Sequence, residues 1–340
     1  MAKKAYIIGS GCISPQRTTE RDYFFETVNG PEIDFYKAVE PSYKDQISPN
    51  MLRRMGRAIK MGASAARIAV AESGVENVDA IISGTGLGCF EDSEKFLMAI
   101  INNNEQFLTP TSFIQSTHNT VGSQVALIMQ CHGYNYTYVH RGFSFDACVM
   151  DALMSIEEGK KYILIGGIEE HTPVYVELYR KAKKLNKDNS HKYYEGKTSG
   201  IQIGEGSAFF VLSAEKKNAV SAIEGVGFCY KPESGKELLN KLKLFLSSHN
   251  RSLENIDLVL FGFSGDKSYD EYLLEILPVV PKTCAVGHFK NLCGDYHTAG
   301  AFATWLANKT IEKQKIPEAV KINTTSKAEI NSILIINGYI

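Results

Sequence analysis

The sequence predicts an α/β fold assembled from two similar halves, each a mostly parallel sheet covered by helices. Three observations lead there. Apolar runs of strand length end in glycine loops, segments with helical spacing fall between them, and the same plan comes twice along the chain. The echoes keep one order: "ENVDAIISGTG" (Glu76 to Gly86) returns as "ENIDLVLFGFSG" (Glu254 to Gly265).

The first half opens on "AYIIGSGCIS" (Ala5 to Ser14), an apolar run that reads as a buried strand passing into a loop. "MLRRMGRAIKMGASAARIAVAESG" (Met51 to Gly74) has the spacing of an Ala-rich helix, with Gly74 as its C-terminal stop. Tyr138 to Glu170 reads as a strand, a sharp turn, a helix and a second buried strand. The polar segment Lys181 to Gly200 is expected to be an exposed, mobile excursion. "IQIGEGSAFFVLS" (Ile201 to Ser213) returns to a strand, its GEG cluster marking close approach between backbones. In the second half, "AIEGVGF" (Ala222 to Phe228) is expected to answer the first strand. "ELLNKLKLFLSSHNRS" follows as a helix. "GDYHTAGAFATWLANKTIEKQ" and "SILIING" then mirror the helix and strand after the sharp turn. The boundary is expected between 1–215 and 216–340.

Formal charge is −1 with both signs interspersed, so neither a nucleic-acid footprint nor a polybasic membrane patch is expected. The longest apolar runs are too short to span a bilayer. The seven cysteines are scattered and lack any CxxC spacing, which suits reduced thiols in a cytoplasm better than disulfides or a metal site. The N-terminus passes at once into a strand, without a secretory apolar stretch. No motif calls for a cofactor.

Taken in order, "YIIGSGCISP", "LRRMGRAIKMGASAARIA", "IISGTGLGCFEDSEKF", "THNTVGSQVALIMQCHGYNYTY", "LIGGIEE" and "IGEGSAFFVLS" resemble the β-ketoacyl synthase (ketosynthase) family. The resemblance runs along nearly the whole chain. It implies the thiolase fold, two pseudo-repeated halves layered α/β/α/β/α. It also implies a chemistry of three groups. A cysteine at a helix N-terminus takes the acyl chain, because the dipole and backbone N–H groups favour thiolate. Two histidines stabilise the enolate formed when the malonyl extender loses carbon dioxide.

This sequence departs from the family at all three positions. The nucleophile position falls on Gly142, or on Arg141 with a different loop gap; the H-G-T histidine falls on Phe261; and Asp295 stands for the histidine of K-x-x-x-G-H, whose Lys290 and Gly294 remain. Condensation by the family mechanism is therefore not expected. Ser144, in "GFSFD", resembles half of a nucleophile elbow, but reads best, like Asp146, as a cap of a helix starting near Ala147. Cys148 reads as an inert core thiol. His297, two residues past Asp295, is expected to face elsewhere on helical geometry, and His118 and His140 to be structural.

Within the family, catalytically incompetent homologues act as chain-length factors beside an active ketosynthase. The resemblance thus implies a heterodimer with a ketosynthase subunit, served by acyl carrier protein, in fatty acid, polyene or polyketide synthesis. It places "LTPTSFIQSTHNTVGS" at the subunit interface, with Phe113, Thr117 and His118 as candidate tunnel residues before Asn119. Two alternatives stand beside it. One is a divergent acyltransferase or 3-oxoacyl-ACP synthase with an unusual site; the other is a homodimer that binds acyl thioesters or acyl carrier protein.

Overall fold

A computed structural model describes residues 4–20, 22–31, 35–186, 193–323, 325, 327 and 329–338. The chain begins with β1 (Ala5–Ile13), the short β2 (Phe35–Tyr36), α1 (Pro49–Leu52) and α2 (Arg57–Ser73). β3 (Ala80–Gly84), α3 (Phe90–Asn102), α4 (Pro110–Gln115) and α5 (Thr120–Met129) follow. Next come β4 (Tyr134–Tyr138), α6 (Ser144–Glu157), β5 (Tyr162–Glu169), α7 (Pro173–Lys181), β6 (Ile203–Gly204) and β7 (Gly206–Ser213). The remainder holds β8 (Ser221–Ile223), α8 (Gly235–Ser248), β9 (Leu258–Gly262), α9 (Lys267–Ile276), β10 (Ala285–His288), α10 (Lys290–Cys293), α11 (Ala299–Lys313) and β11 (Ile333–Asn337).

Two sheets carry the fold. The first runs β4-β3-β5-β7-β1-β8, with β3 parallel to β4 and β5, and β7 antiparallel to β5 and β1. The second runs β10-β9-β11, all parallel. The central strands are buried on both faces, which is why β3, β7 and β9 read as nearly unbroken apolar runs. One core fills the space between the sheets, where α6 and α11 lie; a second lies under α2 and α5, and a third under α8 and α9. The layers are thus α/β/α/β/α, as the resemblance implies. Among the described residues no helix is long and apolar enough to cross a membrane.

Two expectations are corrected. Ser221–Ile223 pairs antiparallel with β1 on the edge of the first sheet, while 224–228 joins no strand. In the first sheet the first strand pairs with β7, and no described strand holds the corresponding place in the second. The Lys181 to Gly200 segment is not simply a solvated excursion. Residues 187–192 lie outside the described residues, but Tyr193 is buried in the outer core and Thr198 donates to the Gly265 carbonyl at 2.6 Å.

The GEG turn does bring backbones together: a Cβ on Gly204 would meet the Cys293 carbonyl oxygen at 1.8 Å. It also buries Glu205 completely. That carboxylate accepts from both terminal guanidinium nitrogens of Arg57 and from the backbone N–H groups of Ala38 (3.0 Å) and His171 (3.1 Å). Arg57→Ala leaves this buried charge short of its counterion and is expected to cost about 3–5 kcal/mol, read from denaturant midpoints at constant slope. A loss within about 0.5 kcal/mol, as for an ordinary surface substitution, would disprove the role assigned to the pair.

Candidate functional site

The site lies outside the carboxyl ends of β3 and β5, where ligands collect in sheets of this kind. Glu169, at the end of β5, accepts hydrogen bonds from Gly86 N–H (2.9 Å), Leu87 N–H (2.8 Å) and the Thr85 hydroxyl (3.1 Å), fixing the glycine loop after β3. Its neighbour Glu170 accepts the Glu91 N–H at 3.1 Å and ties α3 to the same strand end. Burial pushes the Glu169 carboxyl up to about 7, against those three hydrogen bonds, and Glu170 up to about 8.

The sharp turn between β4 and α6 has Arg141 at its apex, with φ +50°. Gly142 has no left-handed backbone, so the strained elbow position belongs to Arg141, whose side chain is exposed. A guanidinium has no pair of electrons to attack an acyl carbonyl. α6 starts at Ser144, three residues earlier than Ala147, and no side chain caps it. The Ser144 hydroxyl is turned back into the turn, 2.9 Å from the Thr85 carbonyl and 2.7 Å from that of Arg141, and accepts the His140 N–H. It is buried and committed, a brace within the elbow. Asp146 accepts no capping bond, and burial pushes its carboxyl up to about 7. Cys148 is buried, its thiol 3.2 Å from the Ser144 carbonyl and its acidity pushed well down by desolvation.

Phe261 does not reach the site. It is buried in β9 on the α8/α9 side, stacked on Phe263 at 5.1 Å. Asp295 does reach it. Its backbone is zipped to Gln202 and Gly204, and its carboxylate lies 2.6 Å from the buried Lys290 ammonium, which also donates to the Gly338 carbonyl at 2.8 Å. Gly294, at φ +73°, supplies the left-handed step between the two.

His297 faces the same cavity as Asp295. Residues 294–298 are not helical, α11 starting only at Ala299, so the rotation of a helix does not apply to them. The ring lies so close to Gly86 that a Cβ there would sit 2.1 Å from Cδ2. Desolvation first, then Arg141 and Lys290, lower its basicity, with Asp295 opposing them.

His171, Tyr175 and Tyr179 complete the wall, together with Ile201, Ile203 and Tyr296. His171 was not legible from any motif; its place directly after a buried strand is the one clue the sequence offers. Its Nδ1–H donates to the Gly204 carbonyl at 2.8 Å, and burial holds the ring neutral, with its pKa lowered to about 3. Nε2 is therefore the unprotonated nitrogen. The cavity measures ≈ 40 Å³. That is room for a few waters at most, far below the roughly 300–1,000 Å³ of ordinary ligand pockets.

The tunnel candidates lie elsewhere. Phe113 is 56% exposed with its ring 5.3 Å from Phe96, and Thr117 and His118 are exposed beside it. None encloses a tunnel in the single chain. They belong to an apolar face with Leu97, Ile101 and Ile114. Next to it, the loop after α3 sets Asn104, Glu105 and Phe107 at positive φ and leaves Phe107 90% exposed.

The β-ketoacyl synthase N-terminal domain model matches residues 11–218. The chain belongs to the β-ketoacyl synthase family. No curated protein sequence matches it. Among solved structures, the ishigamide ketosynthase/chain length factor is similar, with TM-score 0.77 at 18% identity over 98% of this chain and 92% of that one. A β-ketoacyl synthase from Burkholderia phymatum STM815 gives 0.74 at 16% identity over the same shares. A type II polyketide synthase acyl-carrier protein in complex with its ketosynthase (AntDE:AntF) gives 0.75 at 12%, over 99% and 93%. At these identities the likeness shows the thiolase-like ketosynthase fold.

Two measurements check the site. Asp295→Ala strands the Lys290 charge and is expected to destabilise by about 3–5 kcal/mol, whereas a purely local surface role predicts almost none. Glu169 and Glu170 have folded pKa values raised above the ordinary 4.5, so the stability they lend is complete below that value and is lost as pH rises through about 7 and 8. His171 acts on the acid side, where the unfolded ring protonates first. The melting temperature should therefore fall between about pH 6.5, above which His171 no longer opposes it, and about pH 8, and Glu170→Gln should flatten that fall; an unchanged slope refutes the assignment.

Proposed function

We propose that this chain is a non-catalytic ketosynthase-like subunit of the chain-length-factor type. It pairs with an active ketosynthase in acyl carrier protein-dependent synthesis of a fatty acid, polyene or polyketide. The observation that supports the reading is the content of the site: an elbow led by Arg141, an ion pair of Lys290 with Asp295, and a cavity of ≈ 40 Å³ beside them. The edge of the first sheet supports a partner. β4 is an outer strand with Tyr134 and Tyr136 exposed, and the apolar face on α3 and α4 is exposed too. The similar ketosynthase/chain length factor is a further support.

Phe107 is the residue assigned the measuring role. A strained backbone that holds a phenyl ring in solvent is costly in a lone subunit, and reasonable where the ring enters a partner's tunnel. Overlap of that ring with the next two-carbon unit stops elongation.

The second reading, a divergent acyltransferase, has His297 beside His171 in its favour. It requires an acyl adduct, and intact-protein mass spectrometry after incubation with acyl thioesters distinguishes the two.

The decisive experiment co-expresses the chain with a ketosynthase and its acyl carrier protein. The isolated chain should condense nothing, the pair should copurify and extend malonyl thioesters, and Phe107→Ala should lengthen the product by at least one extender unit. Condensation by a partner-free sample would overturn the proposal.

A further inference from the structure

We infer that α3 is held to the body by a proton-dependent latch, shut while Asp92 and Glu170 carry protons and released at its first turn as they lose them. Packing singles out these two groups. Asp92 is the one residue of α3 that is fully buried; the rest of the helix is half-buried or exposed. Its anchor is therefore an acid. Asp92 is 5% exposed and Glu170, just past β5, 1%, yet Asp92 Oδ2 and Glu170 Oε2 accept no hydrogen bond among the described residues. Asp92 Oδ2 lies instead against bare backbone at the start of α2, where a Cβ on Gly56 would stand 2.0 Å from it. Cys89, the N-cap of α3, is fully buried beside both carboxyls.

A desolvated carboxylate oxygen without a donor is costly when charged and costs much less when protonated. The groups facing the pair decide the balance. The Glu91 N–H and the Arg57 guanidinium favour a charged Glu170, but Arg57 is already engaged by Glu205 and Glu40. Burial outweighs them, Glu91 and Asp92 add repulsion, and the Glu170 carboxyl is pushed up to about 8. Asp92 is raised by burial and by Glu91 against Lys95 and Lys60, Lys95 being bonded to Glu91. Glu169 stands apart, since its three hydrogen bonds hold the glycine loop after β3 and not α3. Both anchors are raised, so the latch is complete below the ordinary carboxyl range and is lost as pH climbs towards about 8. Each anchor then becomes a charge that only water can satisfy, and water enters by lifting the first turn of α3. That helix carries Leu97, Met98 and Ile101, exposed on its outer side. Proton loss thus alters the apolar face offered to a partner, a consequence that rests on the proposed function while the latch itself does not.

The test is hydrogen exchange of the isolated full chain from about pH 5.5 to about pH 9, corrected for the intrinsic pH dependence of exchange. Opening of the first turns of α3, residues 92–97, should rise about tenfold per pH unit for one proton released and level off near pH 8, ahead of any change in α11. Alkylation of Cys89, mapped by mass spectrometry and referenced to the unfolded chain, should follow the same curve. Glu170→Gln keeps an acceptor for the Glu91 N–H without the charge, and should cut the rise across that range by about tenfold or more. Asp92→Asn should lower it as well. Exchange in α3 that ignores pH, that rises only together with α11, or that rises undiminished in both variants would each overturn the inference. So would a Cys89 that stays inert at the alkaline end of the range.

Discussion

One buried carboxylate organises the molecule. Glu205 sits between two glycines at the start of β7, and its four hydrogen bonds tie α2, the Ala38 segment and the end of β5 to one point. Such a charge is tolerated away from water only with its partners in place. Because Gly204 next to it receives the His171 Nδ1–H, the same anchor sets the imidazole that walls the cavity. Fold and site are thus two consequences of one desolvated group.

The residues around the cavity fit together physically. The Asp295 carboxylate closes on the Lys290 ammonium as an ion pair, and Gly294 permits the backbone path that brings them within 2.6 Å. The space between them is framed by the sharp turn, the uncapped start of α6 and the glycine loop held by Glu169.

The sequence read well where burial alone decides the pattern. The twin strands at 80–84 and 258–262 and the Ala-rich α2 follow from apolar spacing. It read poorly where long-range packing decides. Nothing local tells that Tyr193 is drawn from a charged stretch into the outer core, or that Ala222 and Ile223 join β1 while 224–228 joins no described strand. A left-handed Arg141 is invisible because non-glycine residues seldom take that conformation. His297 was misplaced by applying helical rotation from Asp295 onward, four residues before α11 begins at Ala299.

The three residues of β8 have an effect out of proportion to their length. By lying on β1 they take up the backbone of residues 5–7 at one border of the first sheet, so a further strand could pair along a whole border strand without displacing described backbone only at the opposite side, at β4.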